Sequence, residues 1–238
     1  MAKNTRSTLI GQKLAAEAVG TFLVTATAIG VDIFYYTQGN IDYSSRWLAR
    51  GLSVAAVIYA FSAISGAHVD PAVTLGFVFR RVFPIRIAAG YIAAQFVGAL
   101  VAAAMFLAVF GPQTLALGAS HPGPHVSAPL AAATELVLTF ALMLVILMTA
   151  EEKSAVGPNT ALAAGFAVAA CGFVGGPLSG ASMNPARTIA PQLLSFQFQN
   201  IWIYLIGPIA GAGLAVAVHA GICGRASSSQ VHAAKGEE

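Results

Sequence analysis

The chain has 238 residues, 57% of them apolar and 9% charged, and a formal net charge of +3; its mean hydropathy is +0.76. A soluble domain carries about 25% charged residues, so this composition excludes a water-covered globular protein and points to an integral membrane protein, whose long apolar segments make it all-α. The small net charge gives no basis for nucleic-acid binding, and the two cysteines, Cys171 and Cys223, form neither a disulfide framework nor a metal spacing.

In chain order, a polar, basic start leads into a first apolar segment, 9–31. It is too long for the h-region of a cleavable signal, which runs about 7–15 residues. Further spans are expected at 47–64, at 87–110 after the basic stretch 80–86, at 129–150, at 159–174 and at 201–223. Most approach the roughly 20 residues needed to cross a bilayer; the fifth is short. The polar tail 224–238 is expected to be disordered, and residues 1–8 form a short N-terminal arm. Lys3, Arg6, Lys13, Arg80, Arg81, Arg86, Lys153, Arg225 and Lys235 fall in alternate connections. By the positive-inside rule these connections and both termini are expected on the cytoplasmic side of the cell (plasma or inner) membrane.

Two short stretches interrupt the pattern. Asp70-Pro71-Ala72 and Asn184-Pro185-Ala186 each place a capping side chain before proline at the first helical position. The apolar runs that follow, 73–78 and 188–194, rise only about 10 Å, far short of a bilayer core of about 30 Å. Both are half-length helices. Each motif follows a glutamate set early in an apolar segment, Glu17 and Glu135. The chain therefore reads as two halves, about 9–110 and 129–223, each with three full spans and one re-entrant half-helix. Three spans per half invert the second half, the plan of an inverted repeat built around a mid-membrane site. The non-helical backbone before each cap must line a polar path, because it cannot face lipid unsatisfied.

The segments Ser65-Gly66-Ala67-His68-Val69-Asp70-Pro71-Ala72 and Ser179-Gly180-Ala181-Ser182-Met183-Asn184-Pro185-Ala186-Arg187 resemble the two signature loops of the aquaporin, or major intrinsic protein, family. The resemblance implies six transmembrane helices with two half-helices, a passive pore for water and/or small uncharged solutes (glycerol, urea or metalloid-acid type), no cofactor, no catalysis, and a homotetramer in the lipid bilayer. It places the pore motifs at Asp70, Pro71, Ala72, Asn184, Pro185 and Ala186. Spacing from the motifs puts the selectivity filter at Arg50, Gly172, Ala181 and Arg187. Asp70 departs from the family's Asn: an ionised carboxylate only accepts hydrogen bonds, whereas an amide also donates. Arg50 stands where the family has an aromatic or small residue, and either narrows the filter or snorkels outward. Gly172 and Ala181 remove bulk, which favours a solute-permeable pore over the alternative of strict water selectivity. Glu17, Glu135 and His68 are expected to support the loops, His68 by orienting the first loop's carbonyls. A different class, a proton-coupled transporter, would use Asp70 as its coupling carboxylate.

Overall fold

The computed structural model describes residues 9–39, 41–150 and 159–236; Lys3, Arg6 and Lys153 lie outside them. Among the described residues, six helices are long and apolar enough to cross a membrane: α1 (Ile10–Thr37), α2 (Tyr43–Ser65), α4 (Ile85–Leu117), α5 (Ala128–Thr149), α6 (Thr160–Ser179) and α8 (Ile201–Cys223). Two short helices, α3 (Pro71–Phe79) and α7 (Pro185–Leu194), are the expected half-helices.

Local chemistry explains the boundaries. Asp42 accepts from the Ser45 N–H at 2.7 Å to start α2, and Ser127 caps α5 with proline in the first turn. Asp70 and Asn184 cap α3 and α7 ahead of Pro71 and Pro185. Gly66 and Gly180 end α2 and α6 with φ of 86° and 78°, a left-handed conformation that glycine adopts without Cβ strain. The fifth span is longer than its apolar run suggests: α6 continues through Pro177 to Ser179. In α4 the third span is extended past a break at Gly111–Pro112 to Leu117, where Leu115 is fully buried in a cluster with Ile29 and Ile33.

The packing repeats with the sequence. α1 lies on α4 as α5 lies on α8, and α2 crosses α6 at the centre. Each half-helix leaves its own repeat: α7 packs on α4 and α3 packs on α8. Small residues permit the closest crossings. A methyl group on Gly98 of α4 would come within 3.0 Å of the Phe22 nitrogen, and one on Gly211 of α8 within 2.9 Å of the Phe140 nitrogen. In a bilayer, where apolar burial gives little gain between helices, such close contact is the main source of association.

The tail is not the disordered segment expected from its polarity. Ser228–Lys235 forms a ninth helix, α9, with Ser227 as N-cap and Gly236 as C-cap. Its sequence is polar, but Gln230 and Ala234 are fully buried against the body of the protein, so tertiary contacts supply what composition does not.

Candidate functional site: a central pore

The two loops before α3 and α7 are built alike, residue by residue. Ser65 Oγ donates to Glu17 Oε1 at 2.7 Å, and the backbone N–H groups of His68 and Val69 donate to the same carboxylate at 3.0 and 2.7 Å. In the second repeat Ser179 Oγ, Ser182 N–H and Met183 N–H donate to Glu135 at 2.7, 2.8 and 2.7 Å. Tyr91 and Tyr204 complete the match, each donating from its hydroxyl to a serine carbonyl, Ser65 or Ser179, at 2.8 Å. The carboxylates hold backbone that would otherwise be strained. Ala67, Val69, Ala181 and Met183 all have positive φ, 41° to 55°, a conformation that costs free energy for any residue with a Cβ. Both glutamates are fully buried and engaged with the loops. Gln95 adds a bond to Glu17 at 2.7 Å.

His68 does something else. Its ring contacts Thr74 Oγ1 at 3.1 Å and donates from Nε2 to the Ala234 carbonyl of α9 at 2.9 Å. It is packed among Phe77, Phe83 and Tyr91. The sequence reading has it orient the first loop's carbonyls; the contacts its ring makes here run to the half-helix and the tail.

At the centre the caps of α3 and α7 meet. Asn184 Oδ1 accepts from the Arg187 N–H, while its Nδ2 crosses to the Val69 carbonyl at 2.8 Å. Asp70 Oδ1 accepts from the Ala72 N–H at 2.7 Å. A carboxylate has no N–H to return the bond to Met183, the residue matching Val69, so the central pair is asymmetric. Ala72 and Ala186, the last residues of the two motifs, are fully buried, which lets the helix ends come together.

A cavity of about 280 Å³ runs through this centre. Asp70, Asn184 and the loop residues 66–69 and 181–183 line it, together with Val54, Leu142 and Val168. Toward the face that carries Asp42 it reaches Trp47, Arg50, Ala181 and Arg187. At the opposite face, which carries the basic 80–86 connection, it ends on His232, Ala233 and Gly236.

The outer constriction brings together most of the residues the spacing selected. Arg187 Nη2 donates to the carbonyls of Gly180 and Ala181 at 3.3 and 3.1 Å, and Arg50 Nη1 approaches the Gly180 carbonyl at 3.5 Å. Arg50 does not snorkel outward. It is buried and forms a close ion pair with Asp32 of α1, which also takes Arg46 Nε at 2.5 Å. Gly172 is the exception. It is not among the residues facing the cavity, because the Trp47 indole covers it; a methyl there would lie 2.6 Å from Trp47 Cδ2. The opening expected at Gly172 is filled by an aromatic ring.

Asp32 and Trp47 are thus the site residues that the motif spacing missed. Asp32 carried a signal, as an acid directly after the first apolar run and still inside the helix that continues it. Trp47 lies one helical turn before Arg50, and Arg50 stacks on it with Cζ 4.3 Å from the ring centroid.

A bundle of six spanning helices in an inverted repeat, with two half-helices ending on a polar cavity, defines a membrane channel. The model of the major intrinsic protein family matches residues 4–219, and the chain belongs to that family. Similar curated proteins include aquaporin NIP2-3 of Zea mays, 42% identical over 204 residues, covering 85% of this chain and 66% of that protein. Aquaporin NIP1-1 of Oryza sativa subsp. japonica is 39% identical over 208 residues, covering 84% of this chain and 70% of that protein. The chain thus spans about two thirds of the length of the maize relative. Among solved structures, the aquaglyceroporin from Plasmodium falciparum superposes with a TM-score of 0.82 at 24% identity, covering 90% of this chain and 98% of that one.

Proposed function

We propose that this channel passes water and small uncharged solutes down their gradients, with solutes of the glycerol, urea or metalloid-acid type among them, and does no chemistry on them. The observation that carries the reading is the cavity itself. It runs between two half-helix N-termini, past Asp70 and Asn184, to a constriction walled by Arg50, Ala181 and Arg187. Converging helix N-termini and buried arginines oppose cations, and neutral molecules with acceptor oxygens are what such a wall admits. Membership of the family and the aquaporin relatives support the same class. The basic connections support a cytoplasmic placement of the face that holds residues 80–86 and α9, in a plasma or inner membrane, and the family resemblance supports a homotetramer with one pore per subunit.

Asp70, Pro71, Ala72, Asn184, Pro185 and Ala186 are the pore motifs in this reading. Arg50, Ala181 and Arg187 form the filter, with Trp47 taking the place over Gly172. The test is reconstitution into liposomes, with vesicle volume followed by stopped-flow light scattering. An impermeant osmolyte is used first, then glycerol, urea and a neutral metalloid acid. Faster shrinkage than empty liposomes, followed by re-swelling in the permeant solute, is expected. Flux equal to that of empty liposomes, or solute accumulation driven by a proton gradient, overturns the reading.

A further inference from the structure

The outer constriction contains more charge than a filter with one arginine needs. Arg46 and Arg50 share one carboxylate, Asp32, which is almost completely buried on α1, while Arg187 beside them donates to loop carbonyls. Trp47 is sandwiched beside two of them, its ring 4.6 Å from Arg46 Cζ and 4.3 Å from Arg50 Cζ. Three donors at the constriction, Arg50 Nε, Arg187 Nη1 and Trp47 Nε1, are buried without a hydrogen-bond partner. The neighbouring Gly180 and Ala181 carbonyls already accept from the arginines. The constriction is rich in donors, and a solute meets those through acceptor oxygens.

Given the channel reading, we propose that Asp32 is the positioning residue of this filter: its carboxylate holds the Arg50 guanidinium against the wall and out of the lumen. A long, flexible guanidinium has its place fixed by its ion pair and by stacking. Without Asp32, a buried charge is left unpaired and Arg50 turns to the open space beside it, the lumen. Asp32→Asn is expected to lower water and glycerol permeability about tenfold, the change that about 1.4 kcal/mol of barrier makes. Asp32→Glu keeps the pair and keeps the flux. Adding Arg50→Gln to Asp32→Asn removes the released cation and restores flux. All are read by stopped-flow scattering of liposomes carrying matched amounts of inserted protein. Wild-type flux in Asp32→Asn, or a loss that persists in the double variant, overturns the proposal. A wild-type protein without flux would instead sink the channel reading.

A separate set of contacts concerns the other end of the cavity. α9 lies across it, with His232, Ala233 and Gly236 in the lining. Its carbonyls are held: His68 donates to Ala234 O at 2.9 Å, and Lys13 Nζ donates to Lys235 O at 2.5 Å. Gln230 accepts from Arg80 Nε at 3.1 Å and donates to the Leu147 carbonyl at 3.2 Å. Ala234 joins the apolar cluster of Ala72, Phe77, Tyr91, Met143 and Leu147. The end of the helix is set close against the first signature loop: a methyl on Gly66 would meet the Ala233 carbonyl at 2.7 Å, and one on Gly236 would meet Ser62 O at 2.6 Å. These contacts come from α1, α2, the first loop, α3 and α5 together.

From them we infer that α9 is an autoinhibitory plug, an intramolecular ligand of the pore mouth whose departure opens the channel. Its contacts are a few hydrogen bonds, together with Ala234 and the partly buried Val231 on the apolar cluster, a small footprint holding one short helix. Deleting residues 225–238 is expected to raise water permeability severalfold, about the change produced by 1 kcal/mol. Ala234→Asp in the full chain, which puts a charge into the apolar cluster, is expected to do the same. Water permeability equal to the full chain's in both variants overturns the inference. If the deletion fails to insert, Ala234→Asp alone decides it. Wild-type flux equal to that of empty liposomes overturns the channel reading, which this inference presupposes.

Discussion

At the scale of single residues, the two buried glutamates and the central acid decide most. Glu17 and Glu135 each accept three bonds from a loop whose backbone has positive φ. Replacing either by Gln turns one acceptor into an NH2 donor aimed at backbone N–H groups. A loss of about 1–3 kcal/mol per misfit is expected, seen as a lower unfolding temperature in detergent; unchanged melting of both variants would remove their supporting role. Asp70 offers a second test. Asp70→Asn supplies the donor that Met183 lacks, completing the bond that Asn184 already makes to Val69. The expected outcome is a changed glycerol-to-water permeability ratio and a lower proton leak, measured in the same liposomes with an internal pH dye. Asp42, exposed at the start of α2, is held below the usual carboxylate range by the Ser45 N–H. A depressed folded value means its cap contributes above the unfolded value and is lost as pH falls through the folded one. Asp42→Asn should therefore flatten the acid side of a stability-against-pH curve.

At the scale of elements, the close crossings are the sensitive points. Gly98 and Gly211 sit where α4 and α8 meet α1 and α5, with backbone on the other side rather than a yielding side chain. Gly98→Leu or Gly211→Leu must push the helices apart, and cores overpacked in this way lose about 1–3 kcal/mol or more. The yield of monodisperse protein in detergent should fall for both, whereas Leu at Gly11, which has open space around it, should leave it unchanged. Gly172→Val reads the filter instead of the scaffold. Its side chain would displace the Trp47 indole toward the lumen, and reduced water flux at normal yield is the expected result.

At the scale of the whole molecule, the inverted repeat fixes which ends share a side. Gln38 follows α1 and Arg86 opens α4, on opposite faces. Single cysteines at 38 and 86 should be labelled by an impermeant maleimide from opposite sides of sealed vesicles, with the 86 label on the side of α9. Labelling of both from one side would break the topology. Much of this was legible from the chain. The half-helices, the paired glutamates and the six spans follow from charge content, capping residues and the length of apolar runs, each a local property. The tail and the filter were not. α9 has the composition of a disordered segment, and only the placement of Gln230 and Ala234 against distant residues makes it a helix. Gly172 satisfied a spacing rule, but spacing counts residues along one helix and cannot see that a ring from α2 lies over it.

The sequence by itself determined the membrane setting, the repeat and the identity of the central caps, because hydropathy, N-cap chemistry and a buried acid act within a few residues of the chain. Only the tertiary structure decided which side chains lie at the two ends of the cavity. The Asp32–Arg50 pair joins α1 to α2, Trp47 covers a glycine on α6, and α9 binds residues from five other parts of the fold. Those contacts depend on which side chains are brought face to face in a low-dielectric interior, where an ion pair or an unpaired donor carries far more weight than it does along a solvated chain.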